Sequence, residues 1–427
     1  MAFKRVELVE VSAWGKTVGA VARDPRSGYF AFEYDPSWVK RGIELSPLHL
    51  RNTRGVFAFP NLPHHTFHGL PAVLADALPD SFGTSLLDAY LVGLGVAAKD
   101  ITSLDRLGYL GSRGMGALEF APPLGPPAQP EAAYEIARLV AEGRNAIAGS
   151  FGTETEATAS VRDLLRIGSS AGGLRAKAII AWNEKTGGIR GGHVEAPDGF
   201  GHWILKLDGV GDGRSSLGLP VQGEDGRIEF AYSLMAKAAG VEMSVSRLLE
   251  EGGRAHFLTE RFDRVGNTKV HMQTLCGLEH LDFRAIGTHD YAQYLGTVRS
   301  LGIGLGAEQQ AFRRVAFNVM AANRDDHTKN FAFLLEEAGS WKLAPAYDLT
   351  CGAEMQFRNT SVNGNFGEIT VADLLALADR FEIGSVADVL AEVADAVSSC
   401  SEFAHSADLS KSATADVAKH LSPLTVR

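Results

Sequence analysis

The sequence predicts an α+β protein in which a strand-rich region is followed by a helical one, both preceded by a further N-terminal α+β region. Three observations predict it. A proline-rich break, "PPLGPPAQP", runs from Pro122 to Pro130. Strand-length apolar segments follow it, and helical spacing of apolar residues takes over beyond about residue 285. The expected divisions are residues 1–121, a linker at 122–131, a β-rich part at 132–284 and a helical part at 285–427.

The linker assignment rests on proline, which removes backbone donors and resists both helix and central strand. Before it, "VELVEVSAWGKTVGAVA" alternates as strands do, and "SFGTSLLDAYLVGL" places Leu86, Leu87, Tyr90, Leu91 and Leu94 at helical spacing. After it, "VRDLLRIGSSAGGLRAKAIIAWN" reads as strand, glycine turn, strand, and His202 to Leu207 as another strand. "IEFAYSLMAKAAG" reads as a helix with Phe230, Leu234, Met235 and Ala238 on one side. "HFLTERFDRV" reads as a strand leading into a charged crossover. Farther on, Phe312, Val315, Ala316 and Val319 make one apolar stripe. Capping-box patterns at Thr370–Asp373 and Ser385–Asp388 predict an αα-hairpin, and the small polar tail from Ser401 is expected to be poorly ordered.

Composition restricts the function. A net charge of −10 argues against charge-driven binding to DNA or to anionic membranes. Three widely spaced cysteines, Cys276, Cys351 and Cys400, support neither a disulfide framework nor a cysteine-built zinc site. With no secretory h-region at the start and no membrane-spanning apolar stretch, a cytoplasmic, reduced protein is expected.

Chemistry concentrates in "NRDDHTKNFAFLLEEAGSWKLAPAYDL", Asn323 to Leu349. Phosphoryl transfer from ATP needs a carboxylate to take the nucleophile's proton, oxygen ligands for Mg²⁺ and a lysine on the phosphates. Protein kinases set the base Asp and a metal-binding Asn five residues apart and bring a second metal-binding Asp at the end of a following hairpin. Asp325 and Asn330 have that spacing, "FAFLL" and "WKLAPAY" read as the hairpin, and Asp348 ends it. The pattern gives a two-lobed protein-kinase-like fold, with a β-rich N-lobe carrying the extra α+β subdomain and an all-helical C-lobe. Two blander readings stand beside it: a solvated polar loop after a helix, and a hydrolase metal site on Asp325, Asp326 and His327, three adjacent residues that converge poorly on one ion. The stretch "GSSAGGLRAKA" can approach phosphates through backbone N–H groups, although paired glycines more often mark a plain turn. Lys206 in "WILKL" is the candidate phosphate lysine, with Glu229 as its candidate partner, where a solvent-facing lysine and a surface glutamate are the ordinary alternatives.

These stretches resemble the HipA-like serine/threonine kinases, toxins of bacterial toxin–antitoxin modules. The resemblance is carried by "LPDSFG", "GMGALEF", "SSAGGLRAKA", "ILKL", "ERFDR", "DDHTKNF" and "YDL" and spans nearly the whole chain. It implies Asp325 as catalytic base, Asn330 and Asp348 as Mg²⁺ ligands and Lys206 as the phosphate lysine. It further implies Glu260 and Phe262 at adenine, Asp263 at ribose, and a phosphate loop from Ser170 through Ala171, Gly172 and Gly173 to Lys177. Autophosphorylation is implied at Ser170, with Ser169 adjacent and the choice open; Arg175-Ala176-Lys177 departs from the common family pattern. An aminoacyl-tRNA synthetase as substrate and a small HipB-like DNA-binding antitoxin as partner are implied too, so that DNA is reached only through the partner. A small-molecule kinase on the same scaffold and a catalytically silent corepressor are the competing functions.

Overall fold

This computed structural model describes residues 6–79, 81–125, 134–135, 137–138, 140–141, 176–192, 195–209, 223–352 and 355–424. The phosphate-loop residues Ser169, Ser170, Ala171, Gly172 and Gly173, and Pro126 to Pro130 of the linker, lie outside them. The architecture is mixed α/β with several antiparallel sheets. Two units emerge, one of Met1–Asp212, Glu260–His280 and Leu334–Ser340, the other of Gly213–Thr259, Leu281–Phe333 and Trp341–Arg427.

In the first unit a five-stranded antiparallel sheet forms from Leu8–Ala13, Lys16–Arg23, Phe30–Tyr34, Val56–Phe57 and Leu118–Ala121. Alternation does what it should: Val9, Val11 and Ala13 are buried on one face of the first strand, while Leu8 and Glu10 on the other are exposed. The helix Ser81–Gly93 contributes Leu86, Leu87 and Leu91 to a cluster with Val96 and Tyr109. Leu94 is exposed, because the helix ends before it and the chain turns away. Thr102 and Asp105 form a capping box at the helix Ser103–Leu110, and a bidentate Arg106–Asp88 pair (3.0 and 2.9 Å) ties this helix to the preceding one. A second antiparallel group pairs Lys177–Trp182 with both Ile189–Gly191 and Gly201–Lys206.

In the second unit, Ser246–Glu251 and Arg254–Thr259 form a hairpin, and the helix Asp225–Ala238 packs near it. The buried stripe of that helix is Ile228, Ala231, Tyr232 and Met235; of the expected residues Met235 lies on it, while Phe230, Leu234 and Ala238 do not. Tyr232 can lie inward because its hydroxyl donates to the Ala321 carbonyl at 2.7 Å, so the core stripe is rotated toward it. Helix Leu305–Met320 is buried from Ala311 to its end, including the expected stripe Phe312, Val315, Ala316 and Val319, and packs against Tyr291–Ser300 and Val386–Ser398. Truncating Phe312, which has no exposed surface, is worth about 3–5 kcal/mol.

Thr370 caps Val371–Arg380 in a full capping box with Asp373. Ser385 does not repeat it: its φ of 55° is left-handed, whereas a capping side chain needs extended backbone to reach the first turn. The tail is ordered, against expectation. Cys400–Ser406 and Lys411–Ala418 are helices, with Ala404, Ala413 and Val417 buried. Ser410 caps the last one, and Glu224 accepts from its N–H at 3.1 Å and its hydroxyl at 3.0 Å. Cys276, Cys351 and Cys400 are buried, and none is in a disulfide. Among the described residues no helix is long and apolar enough to cross a membrane.

Candidate active site

Helix Leu305–Met320 delivers the chain to the central loop. Ala322, at φ 52°, breaks the helix, and Asn323 then donates back to Asn318 Oδ1 at 3.0 Å. The loop has no regular structure from there to a single 3₁₀ turn at Thr328–Asn330. Asn330 donates its side-chain amide to the Asp325 carbonyl at 2.8 Å, and its own N–H goes to the His327 carbonyl at 2.8 Å. The five-residue spacing thus closes into a compact loop whose asparagine has its nitrogen committed and its oxygen left to offer.

The two neighbouring aspartates have opposite environments. The Asp325 side chain is 48% exposed, with His327 Nε2 at 3.9 Å. Asp326 has no exposed surface and receives Tyr291 Oη at 2.6 Å, the N–H groups of Asn359 and Thr360 at 2.8 and 3.1 Å, and Arg358 Nη1 at 3.2 Å. The Thr360 hydroxyl also donates to the Asp326 carbonyl. Burial raises the Asp326 pKa, against the pull of Arg358 and the donors. A joint metal site on Asp325, Asp326 and His327 is therefore not formed, since Asp326 is used up inside the fold. Among the described residues no group of three or more His, Cys, Asp or Glu side chains is arranged to hold a metal.

The expected hairpin is present as Ala332–Leu335 and Trp341–Leu343, closed by Ala344 N–H to the Ala332 carbonyl at 3.1 Å. Ala346 N–H then bonds the Glu242 carbonyl at 2.7 Å, and Tyr347 Oη donates to the Lys329 carbonyl at 2.5 Å. The residues just before Asp348 and just before Asn330 are thereby bonded to each other. Asp348 itself is half-buried and left-handed, φ 55°. Four residues on, Gly352 passes so near the loop that a Cβ there would lie 2.7 Å from the Arg324 nitrogen. An amide oxygen at Asn330 and a carboxylate at Asp348, both hard donors on bonded segments, suit Mg²⁺.

In the first unit, Lys177 and Lys206 are direct partners across two antiparallel strands, 7% and 8% exposed. Glu260 is exposed and Phe262 half-buried, while Arg261 N–H bonds the His202 carbonyl at 2.9 Å.

Asp263 differs from its expected place at a ribose. It is fully buried, paired with Arg261 (2.9 and 2.7 Å) and Arg264 (2.7 Å), and it accepts the Gly116 N–H at 2.7 Å. Its bonding capacity is spent within the protein, joining "ERFDR" to "GMGALEF". Gly116 is required there: its φ is 76°, and a Cβ would lie 2.8 Å from the Met272 nitrogen. Asp76 does similar work, accepting Thr274 N–H and Oγ1 at 2.6 and 2.7 Å. Glu229 is buried in the helix Asp225–Ala238 of the other unit.

The sequence reading missed the segment Arg358–Asn359–Thr360 and the anchoring role of Asp326. An arginine, an asparagine and a threonine more than thirty positions downstream carry no spacing signal toward the loop.

With this geometry in view, the sequence comparisons are decisive for kinship. Residues 9–121 match the HipA N-terminal domain and residues 169–402 the HipA-like C-terminal domain. The chain belongs to the HipA-like family. Its fold is similar to that of HipA from the Shewanella oneidensis MR-1 complex of HipA, HipB and operator DNA, with TM-score 0.64 at 15% identity over 96% of this chain and 94% of that one. A Helicobacter pylori proinflammatory kinase, CtkA, superposes at TM-score 0.34 and 11% identity over 52% of this chain and 88% of its own, too loosely to define a shared fold. The curated proteins gave no match.

Proposed function

We propose that the protein is a Mg-ATP-dependent serine/threonine protein kinase acting as a HipA-type toxin. One observation carries the reading: an exposed carboxylate, Asp325, stands on a loop whose fifth following residue, Asn330, is bonded to the Asp325 carbonyl while a buried carboxylate anchors the loop from beneath. A general base needs access, and its loop needs rigidity; this arrangement supplies both.

Bound Mg-ATP supplies the transferable phosphoryl group and the neutralising charge for its passage. Asp325 takes the proton of a serine or threonine hydroxyl as the hydroxyl oxygen bonds the γ-phosphorus and ADP leaves. Asn330 and Asp348 offer oxygens to the metal, and Lys206 with Lys177 offers positive charge to the phosphates. Glu260 and Phe262 are assigned to adenine through their backbone groups; Asp263 holds the segment rather than the ribose. Ser170, or Ser169 beside it, is the proposed self-modification site that switches the enzyme off. The acceptor expected from the family is a translation component such as an aminoacyl-tRNA synthetase.

A HipB-like DNA-binding antitoxin is the proposed partner. The Shewanella protein was seen with HipB and operator DNA, and a chain with net charge −10 suits a division in which the partner supplies the basic surface.

The test is the intact mass of purified protein after Mg-ATP, beside Asp325→Asn, with sites mapped by fragmentation. Phosphate on Ser169 or Ser170 in wild type alone supports the kinase and the loop switch. Label passing only to a metabolite would replace protein with small-molecule phosphorylation. Absence of both nucleotide binding and transfer would leave a corepressor.

A further inference from the structure

The geometry points to Asn359 as a positioning residue for the base Asp325, an inference that rests on the kinase reading of the loop. This one side chain and its backbone touch three consecutive loop residues. The Asn359 amide Nδ2 lies 3.3 Å from Asp325 Oδ1 and 3.2 Å from the Arg324 carbonyl. Its backbone N–H reaches Asp326 Oδ1 at 2.8 Å and shares itself with the Arg324 carbonyl at 3.1 Å. The backbone bonds fix where residue 359 sits, and the side chain then acts on the carboxylate that must meet the acceptor hydroxyl.

Residue 359 is itself held from the far side. Thr360–Ser361 pairs in parallel with His289–Asp290, Ser361 Oγ donates to Asp290 Oδ2 at 2.5 Å, and Gly364 N–H donates to the same carboxylate oxygen at 2.8 Å. The helix that Asp290 caps, Tyr291–Ser300, also carries Tyr291, the donor to Asp326. One element therefore supports both the buried anchor and the segment that touches the base.

Few other groups compete for Asp325. His327 stands at 3.9 Å. The guanidinium of Arg324 is bound to the Met355 carbonyl at 2.6 Å, that of Arg358 to Asp326, and the Lys329 ammonium lies 5.0 Å from the Phe283 ring centre. A neutral amide donor on one carboxylate oxygen restricts its rotation and leaves the other oxygen for the incoming proton. A base displaced by about 1 Å loses on the order of 100-fold in rate.

The experiment compares wild type, Asn359→Ala and Asn359→Asp in steady-state phosphate transfer, with thermal midpoints measured on the same preparations. For Asn359→Ala the expected result is kcat lowered roughly 10- to 100-fold with KM for ATP changed less than about two-fold. Asn359→Asp keeps the shape but loses the donor and sets a second carboxylate beside the base, so its kcat falls at least as far, again with KM for ATP nearly unchanged. Two results would overturn the inference: a wild type that transfers phosphate and an Ala variant that matches it, or losses in both variants that track a fallen melting point and raise KM for ATP as much as they lower kcat. A wild type that transfers no phosphate to any acceptor defeats the kinase reading itself, a failure separable from that of Asn359.

Discussion

Tyr291 donates its phenolic hydrogen to Asp326 across 2.6 Å, and neither residue reaches solvent. The bond sits at the centre of a chain of donors: Asn323 gives to Asn318, Asn318 gives to the Tyr291 oxygen at 3.1 Å, and Tyr291 gives to Asp326. A carboxylate this deep is tolerated only because every oxygen is met. The side chain next to it in sequence, Asp325, is thereby left to face outward from a loop that cannot drift.

Removing one link should be felt in stability and in chemistry together. Tyr291→Phe leaves the buried carboxylate one donor short, with an expected loss of about 1–3 kcal/mol in urea unfolding. Asp326→Ala strands the Arg358 guanidinium and should cost more, about 3–5 kcal/mol. Phosphate transfer should fall in both while Asp325 remains intact. A Phe variant as stable as wild type would show that the phenol contributes no net bond.

Asp348 separates backbone from charge. Its left-handed φ of 55° suits Asp and Asn and strains most other residues. Asp348→Asn should therefore unfold at nearly the wild-type temperature yet lose transfer, having lost the proposed anionic metal ligand. Asp348→Val should lose transfer and also about 1–2 kcal/mol of stability. Differential scanning calorimetry on the two variants distinguishes them, and equal midpoints would mean that the backbone there relaxes freely.

What the sequence revealed follows the range of the interactions involved. The stripe on Leu305–Met320, the hairpin before Asp348 and the spacing from Asp325 to Asn330 are local, and each is legible from residues within one or two turns of the chain. The helix Asp225–Ala238 misled in part because its core face turns on Ala231 and Tyr232, which weigh less in an apolar pattern than Phe230 and Leu234. The resemblance puts Asp263 at a ribose, and Asp326 figures only in a polar loop or in a metal set with Asp325 and His327. Only the fold reveals that the neighbouring Arg261 and Arg264 and the distant Gly116 N–H enclose the first, and that Tyr291, Arg358 and the N–H groups of Asn359 and Thr360 enclose the second. Ser385 and the tail erred in opposite senses, one a cap pattern on the wrong backbone, the other a polar stretch whose buried alanines make helices.

The Asp263 cluster carries its own prediction. Burial alone would raise this carboxyl, but the Arg261 and Arg264 guanidiniums and the Gly116 N–H hold it well below the ordinary carboxylate range. A depressed folded value means stability that is fully present above the unfolded pKa and lost only as pH falls through the folded one. Asp263→Asn removes it at neutral pH and leaves two buried arginines uncompensated, an expected loss of about 3–5 kcal/mol. Denaturation at pH 7 checks the magnitude. A variant within about 0.5 kcal/mol of wild type, the range of ordinary surface changes, would mean that the cluster is not a structural tie.

His271 sets a pH dependence of the same sign at milder acidity. It is 2% exposed, and burial lowers its pKa from 6.5 to about 4. Between those values the unfolded chain binds a proton that the folded protein refuses, so stability must fall as pH drops from 6.5 toward 4 and be level above 6.5 with respect to this group. His280, lowered to about 4 by burial and by the stacked His49, adds to the slope but is partly exposed and contributes less. Urea midpoints at a series of pH values should therefore decline through that window in wild type. In His271→Gln, which cannot take up the proton, the decline should flatten and leave the shares of His202, His280, His420 and the carboxylates. An unchanged slope in that variant would mean that the folded protein protonates His271 as readily as the unfolded chain does.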